Sequence, residues 1–287
     1  MTGEHLEFER RPDLDEPVMI CAFAGWNDGG EAATTAAGYL RDRWEAQRFA
    51  RLDPEDFFDF QVTRPTVHLV DGVTRKLEWP ANDFFDASLP GRDVVVFIGI
   101  EPNVRWRTFS EAILGAGKRL GVRSIVLLGA VLADVPHTLD TPVTGSAPDP
   151  EQAAQLGLSG SRYEGPSGIV GVLHDAASRS DLQVVSLWAA VPHYLPSGPN
   201  PKAALALVEK LSDYLGVPVR TDTLARAASA WEVQVSDMIA ENEDLTSYVA
   251  RLEESARESQ DLGEVPSGDA LAAELERFLR EQRGDDG

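Results

Sequence analysis

An unbroken apolar run, Val18–Ala24, ends in the turn Gly25-Trp26-Asn27-Asp28-Gly29-Gly30, and an alanine-rich segment follows from Glu31 to Trp44. A strand that is apolar on both faces needs cover on both faces, the situation of a strand inside a parallel sheet. Alanine-rich segments are good helix formers. Strand, glycine turn and helix make the first half of a βαβ unit, in which ligands favour the carboxyl ends of the strands. The turn does not read GxGxxG and no GK[ST] follows it, so it is neither a dinucleotide fingerprint nor a phosphate loop.

Three further apolar runs have the same character: Val94–Ile100, Ser124–Val131 and Val184–Val191. Helical spacing of apolar residues at 109, 112, 113, 116 and 120 places a helix between the first two of them. Gly168–Ser178 and Pro201–Leu215 also read as helices. Alternating strands and helices predict a mostly parallel sheet covered on both faces. Val62–Leu69 and Arg75–Trp79 form a predicted hairpin around the turn dipeptide Asp71-Gly72. Thr138–Gly168, rich in Pro, Gly, Ser and acids, reads as a long excursion above the sheet, the kind of loop that often carries function.

After Pro218 the pattern changes. Leu224, Ala228, Trp231, Val235, Met238, Leu245, Val249 and Leu252 form an apolar stripe with Asn242 as its one polar position, like a coiled-coil or helical-hairpin seam. An amphipathic helix packed on its own domain fits the same spacing. A second short helix is expected over Asp269–Arg280 with Ser267 as its cap, and the terminal Gly-Asp-Asp-Gly as disordered. The expected organisation is an α/β body over residues 1–220 and a helical extension over 221–287.

With 26 Lys+Arg against 47 Asp+Glu, the net charge is −21. Such a surface repels phosphate backbones and anionic membranes, so neither nucleic acid nor a membrane is an expected partner. No apolar run approaches the roughly 18 residues of a membrane span, and the polar start of the chain has no signal-peptide core. Cys21 is the single cysteine and lies within the first strand; a reducing cytoplasm suits it, as a small buried hydrophobe rather than a nucleophile.

Three polar clusters follow predicted strands: Trp26-Asn27-Asp28, then Glu101-Pro102-Asn103-Val104-Arg105-Trp106, then Pro192-His193-Tyr194. In an open parallel sheet their strand ends share one edge. Asp28, Glu101, Arg105 and His193 then form a candidate crevice for an anionic or sugar-like ligand. Arg105 would supply a bidentate fork, Trp26 and Trp106 stacking surfaces, and Asn27 and Asn103 further polar groups. The competing reading is structural: Asp28 caps the following helix, Glu101 pairs with Arg105, and the tryptophans fill the sheet edge. His137 ends another strand and His174 falls in a helix. The absence of HxxxH, HxH and CxxC argues against a metal site, and that of G-x-S-x-G against a serine nucleophile. Gly165–Gly171 opens a helix, where backbone amides bind anions or a residue simply caps it. No catalytic residue, metal or cofactor is assigned.

Four segments, AGWNDGGEAA, IGIEPNVRW, ADVPHT with PVTGSA, and YEGPSGIVGVLHDA leading to SLWAAVPHYLPSGPNPKAAL, together resemble the proteasome assembly chaperone 2 (PAC2) family. More narrowly they are similar to its bacterial branch, found in actinobacteria. The match runs in order from Val18 to Leu215. It implies a three-layer α/β/α sandwich with nucleoside phosphorylase-like topology and a small helical C-terminal domain. It also implies a homo-oligomer, with a trimer favoured, and protein partners related to the proteasome. The hydrophobic-Tyr-X tail of the eukaryotic chaperones is not matched by Asp285-Asp286-Gly287. The expected function is a non-enzymatic assembly or interaction protein. Its alternative is an enzyme or ligand-binding sensor for a nucleoside-like or small anionic molecule.

Overall fold

The computed structural model describes residues 5–160, 163–195 and 197–261. In chain order its elements are β1 (Leu6–Phe8), β2 (Val18–Ala24), α1 (Ala32–Arg43), β3 (Gln47–Leu52), β4 (Thr66–Val70), β5 (Thr74–Glu78), β6 (Asp83–Leu89), β7 (Arg92–Ile100) and α2 (Trp106–Arg119). Then come β8 (Ser124–Ala133), β9 (Val143–Ser146), α3 (Pro150–Gln155), α4 (Ile169–Ser178), β10 (Gln183–Pro192), α5 (Pro201–Leu215), α6 (Asp222–Ala240) and α7 (Glu243–Asp261).

Eight strands form one sheet in the order β1-β3-β6-β7-β2-β8-β10-β9. The centre, β7-β2-β8-β10, is parallel and consists of the four apolar runs. Antiparallel strands flank it: β6, β3 and β1 on one side, β9 on the other. These edge strands are short or polar, and they carry none of the continuous apolar character that marks the central four.

Side-chain alternation divides β2 between two cores. Met19, Cys21 and Phe23 enter one, together with residues of α2 and α4. Ile20 and Ala22 enter the other, against α1 and α5. The first core is aromatic: Phe97 lies 4.6 Å from Phe84 and 5.3 Å from Phe23 between ring centroids. The second is alanine-rich, so α1 packs closely through Ala32, Ala33, Ala36 and Ala37. Helices on both faces of the sheet make the three layers expected from the strand–helix alternation. Cys21 is fully buried, and burial pushes its thiol pKa far up, which keeps it protonated.

The hairpin stands apart as a two-stranded sheet, β4-β5. The long excursion contains β9 and α3. The chain divides into two compact units, up to Met238 and from Ile239 onward. Within the first, α6 is tied to the α/β body by Lys202, which pairs with Glu232, and by Ser236, 3.1 Å from Nε2 of His137. Leu224, Ala228 and Val235 are buried on α6, whereas Met238 is 51% exposed. Asn242 is not a polar position in a continuous seam. It lies between the helices, and its Oδ1 accepts the amides of Asp244 (3.0 Å) and Leu245 (3.2 Å), capping α7. The expected helix at Asp269–Arg280, its cap Ser267 and the terminal Gly-Asp-Asp-Gly lie outside the described residues. Among the described residues no helix is long and apolar enough to cross a membrane.

Candidate functional site

Because β7, β2, β8 and β10 are parallel neighbours, their carboxyl ends lie along one edge, and the helices that follow begin there. A helix start leaves its first backbone N–H groups without intrahelical partners. At this edge, side chains from the strand-end loops take up such groups at the starts of α1, α4 and α5.

Asp28 is buried after β2. Its Oδ1 accepts the amides of Ala33 (2.7 Å) and Thr34 (3.3 Å), and Oδ2 accepts the Thr34 hydroxyl. It therefore holds the start of α1. Burial pushes its carboxyl pKa up, while the bonds from Thr34 and from the Ala33 and Thr34 amides pull it part of the way back.

Asn27, also buried, reaches across to α4, where its Oδ1 accepts the Val170 amide at 3.3 Å. Glu101, at the end of β7, serves the same helix: Oε1 accepts the Ile169 amide at 2.8 Å and Oε2 the Trp26 amide at 3.3 Å. A carboxylate at a helix N-terminus also meets the positive end of the helix dipole. Two glycines make room for this arrangement. Gly25 has φ +130°, and a Cβ there would lie 3.0 Å from the Glu101 Cβ. A Cβ on Gly168 would lie 2.0 Å from Asn27 Oδ1. The glycine-rich opening of α4, read as a possible anion site, thus receives an anion from the chain itself.

The fourth strand repeats the pattern. Asn200 is buried, its Oδ1 accepts the Ala203 amide at 3.0 Å, and its own amide donates to Gly30 O at 2.7 Å. This residue was absent from the sequence-derived set, although Asn followed by Pro at a helix start is a legible cap signal.

Arg105 corrects the expected pairing with Glu101. It adopts a left-handed backbone conformation (φ 56°), and its Nη1 bonds Asp56 Oδ1 at 2.6 Å. The guanidinium lies over the Phe57 ring, 5.8 Å from its centroid. His5 also reaches Asp56, with Nδ1 at 2.6 Å from Oδ2; that hydrogen bond, with the charges of His5 and Arg105, holds the Asp56 carboxyl below the usual range. The Asn103 Oδ1 accepts the Asp59 amide (2.9 Å) and the Thr63 hydroxyl (3.0 Å). Trp106 donates its indole N–H to Pro102 O at 2.7 Å, whereas Trp26 is 61% exposed.

His193 lies at the end of β10, its Nδ1 3.1 Å from Asp134 Oδ1 and its amide bonded to Ala133 O. The structure therefore gathers Asn27, Asp28 and Glu101 at helix starts, and directs Arg105 and His193 to other carboxylates. His137 is buried, with its amide and Nδ1 at 2.8 and 2.9 Å from the Tyr194 hydroxyl. His174, half-buried on α4, lies 3.3 Å from the Ser146 hydroxyl, and burial lowers its pKa. Among the described residues no group of His, Cys, Asp or Glu is placed to hold a metal ion.

The PAC2 family model matches residues 22–239, a span that contains every strand end of this edge. The chain belongs to the PAC2 family. A Streptomyces avermitilis PAC2 family protein is 47% identical over 81% of this chain and 99% of its own, with a TM-score of 0.74. A Mycobacterium tuberculosis proteasome-assembly chaperone homologue is 46% identical over the same shares, 81% and 99%, also at 0.74. A second M. tuberculosis protein, of unknown function, shares the fold at 24% identity, covering 91% of this chain and 93% of its own, with a TM-score of 0.83. Among curated proteins none matches. In this PAC2 chain, then, three of the groups of the candidate crevice, Asn27, Asp28 and Glu101, hydrogen-bond the starts of α1 and α4.

Two outcomes follow from the geometry. Glu101→Ala strands the Trp26 and Ile169 amides and should lower unfolding free energy by about 1–3 kcal/mol in urea denaturation. Arg105→Ala, which removes an exposed ion pair, should leave the urea midpoint close to that of the unsubstituted protein.

Asp28 gives a pH signature. Its folded-state pKa is raised above the ordinary 3.8, so the native state binds this proton more tightly than the unfolded chain does. The stability of the unsubstituted protein relative to Asp28→Asn should decline as pH rises from 3.8 through the raised value, then level off. A difference that grows with pH across that window would contradict the assignment.

Proposed function

We propose that this chain is a homo-oligomeric assembly or interaction protein for other proteins, akin to proteasome-assembly chaperones, and not an enzyme acting at the strand-end edge. The observation that carries the reading is the use of that edge. Asn27, Asp28, Glu101 and Asn200 each hold a helix start of the chain's own fold. The same edge also offers apolar groups to solvent: Trp26, Val104, Val131 and Leu132 are all more than two-fifths exposed. Exposed apolar groups clustered on one face mark protein contact surfaces. The relationship to the M. tuberculosis proteasome-assembly chaperone homologue supports partners of proteasomal kind. Family resemblance favours a trimer, and a lone buried cysteine fits a cytoplasmic setting.

Two measurements test this reading together. Thermal melts with phosphate and with nucleosides should show no shift, whereas a ligand that bound would add about 2.7 kcal/mol to stability at one hundred times its Kd. Co-expression with the proteasome α subunits of the source organism should raise the yield of assembled α rings on native gels. A nucleoside-dependent melting shift, with no effect on ring yield, would overturn the proposal.

A further inference from the structure

The β4-β5 hairpin is built with its polarity inverted. All ten strand residues are exposed, and the pair is not joined to the eight-stranded sheet. The register pairs Val67 with Leu77 and Leu69 with Arg75 on one face, and Thr66 with Glu78, His68 with Lys76 and Val70 with Thr74 on the other, mostly polar one. Thr66, His68 and Glu78 line a cleft of about 550 Å³ whose opposite wall includes Arg41, Phe85 and Ile98. The polar face thus overlooks the chain's own body. The apolar face looks away from it, with Val67 54%, Leu69 61% and Leu77 47% exposed. A hairpin that served only its own subunit would turn these faces the other way, because a lone two-stranded sheet is marginal in water unless its apolar face is covered.

Charge selects the cover. Over residues 62–79, Arg64, Arg75 and Lys76 against Asp71 and Glu78 leave a net charge of +1; the whole chain carries −21, so the remainder carries −22. A basic, apolar arm on a strongly acidic chain complements the acidic body of another copy. That body offers an apolar landing surface at the carboxyl edge of the sheet. Trp26 and Val104 follow the neighbouring strands β2 and β7, Val131 and Leu132 end the adjacent β8, and the exposed carboxylates Glu31 and Asp134 flank them together with the exposed Arg105 and His193.

We propose that the outer face of the β4-β5 arm, centred on Val67, Leu69 and Leu77, docks on the Trp26–Leu132 edge of a second copy of this chain. Arm and edge are different surfaces, so the contact is head-to-tail, the type that closes copies into a ring. This inference rests on the proposed oligomeric role and says which surfaces build it.

Light scattering after size exclusion, on the full chain, tests it. The unsubstituted protein should run as a multiple of 31.2 kDa. An arm variant, Val67→Asp with Leu77→Asp, and an edge variant, Trp26→Asp with Leu132→Asp, should each run at 31.2 kDa with unchanged circular dichroism. All four positions are exposed or end a strand, and replacing 64–78 by a Gly-Ser linker gives a second arm variant independent of hairpin folding. Mixing arm and edge variants should restore a species of twice the monomer mass, since one intact arm still meets one intact edge. Oligomers that survive both arm variants would overturn this inference and leave the oligomeric role standing. A monomeric unsubstituted protein across micromolar concentrations would overturn both. An edge variant that keeps its oligomer while the arm variants run as monomers would overturn the head-to-tail contact in favour of arm against arm, and monomeric arm and edge variants that fail to pair on mixing would overturn it as well.

Discussion

Helix starts that meet along a single sheet edge impose the constraint on which the rest of this structure depends. Four parallel strands deliver their following helices to the same side, and each helix brings unpartnered N–H groups into a partly buried layer. Leaving such donors unmet costs about 1–3 kcal/mol apiece. The fold answers with short polar side chains from the strand-end loops. Asp28 serves α1 and Asn200 serves α5, both locally. Glu101 and Asn27 serve α4 across 68 and 143 residues of sequence, so they join layers that the backbone alone leaves separate.

Much of this was legible from residue order. Continuous apolar runs without alternation specify strands covered on both faces, and all four became the parallel centre. The polar residues just after them were identifiable as edge groups, because a strand that is buried on both faces must emerge somewhere. Partner choice was not legible. Glu101 and Arg105 are four apart with a rigid proline between them, which makes a pair look natural. Sequence spacing holds no trace of Ile169, which only the sheet order brings to Glu101, nor of Asp56, which draws Arg105 the other way. The antiparallel flank escaped for a different reason: β6 mixes Asp83 and Asp86 with Phe84 and Phe85, so no clean period survives. In the tail, Asn242 fitted a seven-residue seam by spacing, yet its amide-accepting oxygen begins a helix.

The same edge explains why an enzyme-like topology need not bring a ligand site with it. Open α/β sheets bind ligands where helix N-termini and strand ends leave donors free. Here a carboxylate of the chain occupies the start of α4, and glycines at 25 and 168 admit it. Asn27, Asp28 and Glu101 turn their polar atoms to the chain's own amides, and the exposed groups beside them include the apolar Trp26, Val104, Val131 and Leu132. An inverted hairpin on the same acidic chain presents the complementary character. Surfaces of this composition suit contacts between proteins, the property on which the proposed assembly role depends.

Amide hydrogen exchange, read residue by residue by NMR in the absence of any small molecule, tests the capping account most directly. With their acceptors supplied by Asp28, Glu101 and Asn27, the Ala33, Ile169 and Val170 amides, first-turn groups with no helical acceptor, should exchange as slowly as amides in the interior of α1 and α4. Exchange of these three at the rate of an unstructured chain, slowed only when phosphate or a nucleoside is added, would contradict it and return the edge to a ligand.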